Sequence, residues 1–511
     1  MTNTPTNSSE RLGTLTRTTG GRLTRRQALG RGGRLLVAAA GAQAAAWAGA
    51  QSSSAKSRRP TWGVLERSLR GPLLRPGDKG FRAASTAEND LYASIVPAGI
   101  ALCESPRDIQ TCVRWARENG VPLVARSGGH SFGGYSRTTG LQVDLRRMKS
   151  AIVDHDAGTL RVSGTVRFAD LDRVLKPYNL FIPAGQCPSV AVNGFTLGGG
   201  FGFYSRAHGL AVDQLKRTDV VLASGQKVTA DRSRHSDLFW ACRGGGGGNF
   251  AINTSMTFSL FPVGNVSVCT CVWSAKLETV LNEFQQLFQH VPDTFSLIVR
   301  ITPATHSTPM TVTALGHYFG PSRELRDILS PALSVSPATR TQFLDLSFWK
   351  ARDYLADTNG PPHSYVERSA YVAGPMSSAG IATMLEHTRR WPGTGATAGR
   401  LDFWLWGGAI NKPGPRSTAF VHRSARSLFA VGATWPAAIS RQRARPMINW
   451  VNDTWSAVGH HATPYAYQNF IDPALKDWKR AYYGANLDRL IKVKRAYDRD
   501  DLFKFAQSIP T

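Results

Sequence analysis

Apolar and polar residues alternate with two periods along this chain, and each period marks an element. Ile109, Cys112, Val113 and Ala116 recur at helical spacing. Ser105 and Pro106 before them form a cap and a first helical position, and Gly120 is a stop. A helix over 106–119 follows. Short apolar runs bounded by turn residues predict strands over 122–126 and 141–144, and a hairpin over 152–162. A helix over 168–175, a strand–turn–strand unit over 216–230 and a short helix over 236–243 come next. The last ends at five glycines, Gly244 to Gly248, followed by Asn249. Near Pro262 the pattern changes to long helices alternating with β-rich segments. Leu277, Val280, Leu281, Phe284, Leu287 and Phe288 form one helical stripe that suits covering a sheet. Strands are expected at 295–301 and 310–315. Around Val451 the chain changes again, and 465–511 is aromatic, basic and rich in turns. No internal repeat is present.

The whole is an α+β pattern. It divides into an irregular linker over 51–84, a first domain over 85–262, a second over 263–455 and a closing segment over 456–511. The second reads as an antiparallel sheet backed by helices. The length of 511 residues is enough for two domains.

Charge changes the picture at the N-terminus. In the first fifty residues seven arginines face one acid. Thr24-Arg25-Arg26-Gln27-Ala28-Leu29 has the twin-arginine form. Leu35 to Ala50 follows as a moderately apolar, Ala-rich stretch, and Ala48-Gly49-Ala50 is a small-x-small cleavage site. Residues 1–50 therefore read as a twin-arginine signal peptide, and the protein is expected outside the cytoplasm, periplasmic or secreted. The apolar stretch is too short for a stable membrane span. The net charge of +26 also reflects an Arg-rich mature surface, open to adhesion to an anionic envelope or an acidic substrate. Basic runs interleaved with aromatics are missing, so nucleic acid is not expected as a partner.

Export permits disulfides among the six cysteines, 103, 112, 187, 242, 269 and 271. No CxxC or HExxH occurs, and no metal site is expected. Cys112 shares a core-facing stripe, and Cys269 and Cys271 share one face of a strand. No strict GxGxxG follows a strand, which disfavours a Rossmann site; Gly393 to Ala398 reads as a loop.

The 49 glycines cluster instead of repeating. One loop reads Ala125-Arg126-Ser127-Gly128-Gly129-His130-Ser131-Phe132-Gly133-Gly134. A second reads Gly185-Gln186-Cys187-Pro188-Ser189-Val190 and runs on to Gly198-Gly199-Gly200-Phe201-Gly202. Loops nearly free of side chains let backbone N–H groups close around an anion such as a pyrophosphate. His130 and Cys187, one in each loop, are the side chains suited to bonding a flavin ring. The alternatives are a loop histidine capping the backbone and a buried thiol or half-cystine. Together the pair points to a doubly tethered flavin.

These segments resemble the berberine-bridge-enzyme-like branch of FAD-linked oxidases, with the vanillyl-alcohol-oxidase (PCMH-type) FAD-binding fold. The resemblance extends through Gly407-Gly408-Ala409-Ile410-Asn411, Tyr467-Gln468-Asn469-Phe470, Tyr482-Tyr483-Gly484 and Gln507-Ser508-Ile509-Pro510. It implies a two-part FAD-binding domain with an inserted substrate domain. It implies attachment of the flavin 8α carbon to His130 and of C6 to Cys187. Ser127, Gly128, Gly129, Ser131, Gly198, Gly199, Gly200, Asn249 and Asn469 would contact the cofactor. Arg126 would face the pyrophosphate, or make a surface ion pair. Tyr467 would be either the base, its pKa lowered by the site from the usual 10 or so, or a stacked aromatic. Val190 matches the position that controls oxygen access, where valine accompanies oxidases.

Three departures stand out. Phe132 replaces a tyrosine, Ala191 and Asn193 replace glycines, and no Gln or Glu stands near Gly432. Tyr204 and Asp402 are candidates to compensate. The expected activity is oxidation of a small alcohol, hemiacetal or secondary metabolite, with O2 giving H2O2. The alternatives are a dehydrogenase of the same fold and a catalytically silent flavin-binding envelope protein.

Overall fold

Among the described residues the strands form four sheets, the smallest a two-stranded pair of Leu180–Phe181 with Phe261–Pro262. The computed structural model describes residues 61–357 and 363–511; the expected signal peptide lies outside them. In the first sheet the order is Leu73–Leu74, Gly99–Leu102, Leu141–Asp144, Leu123–Arg126. The last three strands are parallel. Parallel neighbours need a crossover, supplied by the helix Pro106–Asn119. Ser105 caps it, Pro106 occupies its first turn, and Gly120 at φ 60° ends it. Its Ile109, Cys112, Val113 and Ala116 are fully buried against the sheet.

The segment expected to be irregular is ordered from Thr61 onward. It forms the helix Trp62–Ser68, the edge strand Leu73–Leu74 and the turn Phe81–Ala84. Its Ser, Arg and Pro content hid this. Order comes from tertiary contacts: Leu65 is buried, and Trp62 packs on Trp115 with ring centroids 4.6 Å apart.

The second sheet is antiparallel, in the order Ala151–Asp154, Thr159–Ser163, Ala251–Ser259, Leu215–Leu222, Lys227–Asp231. The third has seven antiparallel strands: Arg340–Ser347, Asn265–Trp273, Thr311–Tyr318, Phe295–Thr302, Ala398–Leu405, Ser427–Pro436 and His363–Val372. Helices Leu277–Leu287, Ser322–Val335, Ser378–Arg389 and Arg445–Gly459 cover one face. The last of these runs across the boundary expected at 455/456.

Period-two alternation sorts the strands of the large sheet. Phe295, Leu297, Val299 and Ile301 point to the helices, as do Leu401, Phe403 and Leu405. Ile298, Arg300, Arg400, Asp402 and Trp404 therefore point the other way. Cys269 and Cys271 both lie on the helix side, and all six cysteines are free thiols. The C-terminal residues Tyr482, Leu490, Val493 and Ile509 return to the core of the second sheet.

Two buried histidines carry a pH consequence. His317 sits among Phe203, Tyr204 and Phe319, and neither ring nitrogen has a hydrogen-bond partner. His422 Nε2 lies 3.0 Å from the Tyr482 carbonyl. Burial pushes both down from 6.5 to about 3. The unfolded chain takes up these protons below pH 6.5 and the folded chain does not until about pH 3. Stability is thus complete above 6.5 and falls as pH drops, by about 1.4 kcal/mol per pH unit for each ring. Calorimetric melting between pH 7 and 4 should show the decline, and His317→Phe should make it shallower. An unchanged slope in the variant would refute the assignment.

Candidate active site

The strand Leu123–Arg126 ends in the first glycine loop, and that loop forms one wall of a 760 Å³ cavity. Ser127, Gly128, Gly129, His130 and Ser131 border it; Cys187 and Val190 face it from the second loop. The two loops touch: a Cβ on Gly128 would lie 2.9 Å from the Ala191 backbone nitrogen. Gly128 is therefore required where Ala191 is tolerated. Ser127 Oγ donates to the Gly164 carbonyl at 2.8 Å, and Ser131 Oγ accepts from the Tyr135 N–H at 3.0 Å. Gly246, Gly247, Gly248 and Asn249 line the far end. Gly246 and Gly248 have φ of 86° and 74°, open to glycine without strain.

His130 Nδ1 lies 3.6 Å from Glu88 Oε1. Its Nε2 is buried without a hydrogen bond. Burial holds the ring pKa below its usual value; Glu88 and a hydrogen bond with the Ser189 backbone oppose this, and Arg167 and Arg126 add to it. Cys187 Sγ is 3.2 Å from Ser189 Oγ. Burial raises this thiol, against hydrogen bonds from Ser189. Both nucleophiles border the one cavity, as a doubly attached ring requires. The bare glycine walls and the orphaned imidazole nitrogen fit a flavin nucleotide.

Several expected contacts fall elsewhere. Arg126 is buried away from the cavity and holds the preceding loop, donating to the Thr86 carbonyl at 2.6 Å and the Ala84 carbonyl at 3.5 Å. Burial lowers its pKa to about 10. Gly198, Gly199 and Gly200 lie behind the wall. A Cβ on Gly198 would overlap Asn469 Oδ1, and one on Gly199 would strike Phe420. These glycines therefore clear space for side chains that do reach the cavity. Asn249 uses its amide internally, donating to the Gly245 carbonyl and accepting from the Ile509 N–H.

Tyr467 and Asn469 do border the cavity. The Tyr467 oxygen accepts from the Gly200 N–H at 3.1 Å and from Asn469 Nδ2 at 2.9 Å. Those bonds favour a phenolate, but burial outweighs them and pushes the group up to about 12. The expected lowering is reversed because the ring is 1% exposed.

The opposite wall is the charged face of the large sheet. Arg300 grips Asp402 with two bonds, Nε–Oδ1 at 2.7 Å and a terminal nitrogen to Oδ2 at 2.9 Å. Arg400 Nε lies 3.3 Å from Asp402 Oδ2, and its terminal nitrogen pairs with Glu367. Burial raises Glu367, while Arg400 draws it back. Gly432 sits in register between Glu367 and Arg400 on its two neighbouring strands. A Cβ there would lie 3.2 Å from Glu367 Oε2 and 3.5 Å from Arg400 Cζ. The missing acid near Gly432 is thus explained: the space is taken by a carboxylate from the next strand. Asp402 faces this site, whereas Tyr204 lies in the core against Phe181 and Phe348. Phe132 stacks on Phe470 and meets Tyr365 edge-on, each at 5.1 Å.

Glu88, Glu367, Arg300 and Arg400 were not singled out from sequence. They belong to no motif. The spacing of Arg400, Asp402 and Trp404 against Leu401, Phe403 and Leu405 carried the signal, since it puts three polar-tipped residues on one face.

Among the described residues no helix is long and apolar enough to cross a membrane. Residues 97–231 match the family described as FAD binding domain, and residues 466–510 the family described as Berberine and berberine like. The FAD-linked oxidoreductase YgaK of Bacillus subtilis is 31% identical over 86% of this chain and 97% of its own length. Glucooligosaccharide oxidase of Sarocladium strictum is 27% identical over 83% of this chain and 89% of its own. The structure of Physcomitrella patens BBE-like 1 superposes with a TM-score of 0.79 at 29% identity, covering 88% of this chain and 99% of that one. Match and geometry agree, and the chain belongs to the berberine-bridge-enzyme-like family of FAD-linked oxidoreductases with the PCMH-type FAD-binding fold.

Proposed function

We propose that this protein is an exported oxidase that removes a hydride from a CH–OH carbon, with its FAD held through both His130 and Cys187 and O2 as the acceptor. The observation that carries the reading is the pairing of the two nucleophiles on one glycine wall with a polar, self-neutralised row on the other. Bound FAD would supply the hydride acceptor. His130 and Cys187 would hold it without a closed lid, leaving room for a bulky donor. Arg300, Asp402, Arg400 and Glu367 present donors and acceptors at a spacing suited to a polyhydroxylated molecule, and the relative named glucooligosaccharide oxidase supports that class. Val190 on the cavity wall favours oxygen over another acceptor.

Two groups on the cavity have the chemistry to take the hydroxyl proton. Tyr467 can do so only as phenolate, and at neutral pH burial keeps it a phenol. Glu367 beside Arg400 is the better acceptor there, with Tyr467 orienting the donor. A reductive rate that levels off on the acid side of neutrality marks Glu367; one that keeps rising through the alkaline range marks Tyr467.

Anaerobic titration with a panel of alcohols, mono- and oligosaccharides, followed by air, tests the reading. Bleaching of the yellow absorbance and rapid return with peroxide are expected. Bleaching that air restores only slowly would point to a dehydrogenase. No bleaching by any donor, with salt-sensitive binding to envelopes, would favour the silent flavin-binding alternative.

A further inference from the structure

The segment carrying Glu88 is held at both ends. Arg126 donates to the Thr86 carbonyl two residues before it. Asn89, directly after it, exchanges hydrogen bonds with the Tyr365 backbone: Nδ2 donates to the carbonyl at 2.9 Å, and Oδ1 accepts from the N–H at 3.2 Å. Arg126 is buried and Asn89 is 2% exposed, so neither clamp is a loose surface contact. Between them Glu88 reaches the cavity, with Oε1 3.6 Å from His130 Nδ1. A shift of a few tenths of an ångström brings that pair into hydrogen-bonding range.

The histidine alone is poorly equipped to alkylate. A neutral imidazole that bonds to carbon becomes a cation unless its N–H proton leaves, and this ring is buried near Arg126 and Arg167, which disfavour a cation. A carboxylate at the ring nitrogen removes the difficulty.

We infer that Glu88 is the base that accepts the Nδ1 proton of His130 when Nε2 of the same ring bonds to the 8α carbon of the flavin. This rests on the attachment through His130 proposed above. The balance is as follows. The bond forms between the 8α carbon and His130 Nε2, the nitrogen without a hydrogen bond, and one 8α C–H bond breaks. The imidazole proton passes to Glu88, and the 8α proton to solvent. The C–H electron pair enters the ring system, which is left reduced by two electrons. Dioxygen takes those electrons and two protons as hydrogen peroxide, one for each bond formed. Arg126 and Asn89 are positioning residues: they act by fixing Glu88.

The test uses the full-length chain with Cys187→Ala, so that any flavin surviving denaturation is held by His130. Protein produced under riboflavin limitation receives FAD in air. Attachment is followed as fluorescence retained on a denaturing gel, and total bound FAD by absorbance. Adding Glu88→Gln should slow attachment about 100-fold at unchanged FAD occupancy. Glu88→Asp should fall between, and added acetate should restore part of the Gln variant's rate, which a merely structural role would not permit. Should the Gln variant not fold, the Asp variant alone decides: slowing at an unchanged melting temperature supports the role. Attachment at the parent's rate in either variant overturns it. A Cys187→Ala parent that binds FAD yet retains none on denaturation overturns attachment through His130 itself, and this inference with it.

Discussion

Replacing His130 and Cys187 together by alanine is expected to release every flavin from the acid-precipitated protein, while each single variant still yields a yellow pellet. The two side chains come from separate loops, so under the proposed double attachment either bond would hold the ring alone. The double variant should still bind FAD reversibly, because the glycine walls, the Gly128–Ala191 contact and the Gly246–Gly248 end do not involve either side chain. The effect is all or none in covalent flavin, and visible absorbance of pellet and supernatant reads it. A colourless wild-type pellet would make the cavity a non-covalent nucleotide site. Removing the imidazole should also slow reduction, since alkylation through it withdraws electrons from the ring.

Lys494 carries the second large effect, on stability. It is fully buried and donates to Asp498 Oδ2 at 2.6 Å, the Phe503 carbonyl at 2.8 Å and the Asn249 carbonyl at 3.0 Å. Asp501 adds a contact at 3.0 Å. One ammonium thus ties the C-terminal helix Leu487–Tyr497 to the chain after it and to the residue following the glycine run. Lys494→Met would leave the buried Asp498 carboxylate uncompensated, at a cost of about 3–5 kcal/mol. Urea unfolding should show that loss. Adding Asp498→Asn should recover part of it, because the stranded charge is then gone. Weaker FAD retention should accompany the single variant, since Asn249 shapes the cavity end. A loss under 1 kcal/mol would mean the site relaxes or admits water.

Much of the cavity wall was legible in the chain. Glycine runs, a lone histidine and a lone cysteine are local signals, and local geometry brings Ser127, Gly128, Gly129, His130 and Ser131 to the cavity. The same reasoning overreached at Gly198, Gly199 and Gly200. A glycine marks close approach but does not say to what, and here the neighbours are Asn469, Phe420 and Tyr467. Arg126 misled likewise: a guanidinium beside an anion loop satisfies backbone carbonyls as readily as phosphate.

The sequence by itself determined many of the elements, the α+β class, the family and the pairing of a loop histidine with a loop cysteine, because period, caps and loop composition act over a few residues. Only the tertiary structure decided the environment of those groups. It set Glu88 against a histidine 42 positions away. It raised Tyr467 instead of lowering it. It turned an apparent loss at Gly432 into room for Glu367 and Arg400, which stand on different strands. Strand register and burial govern such pairings, and both arise from contacts between segments that no local pattern encodes.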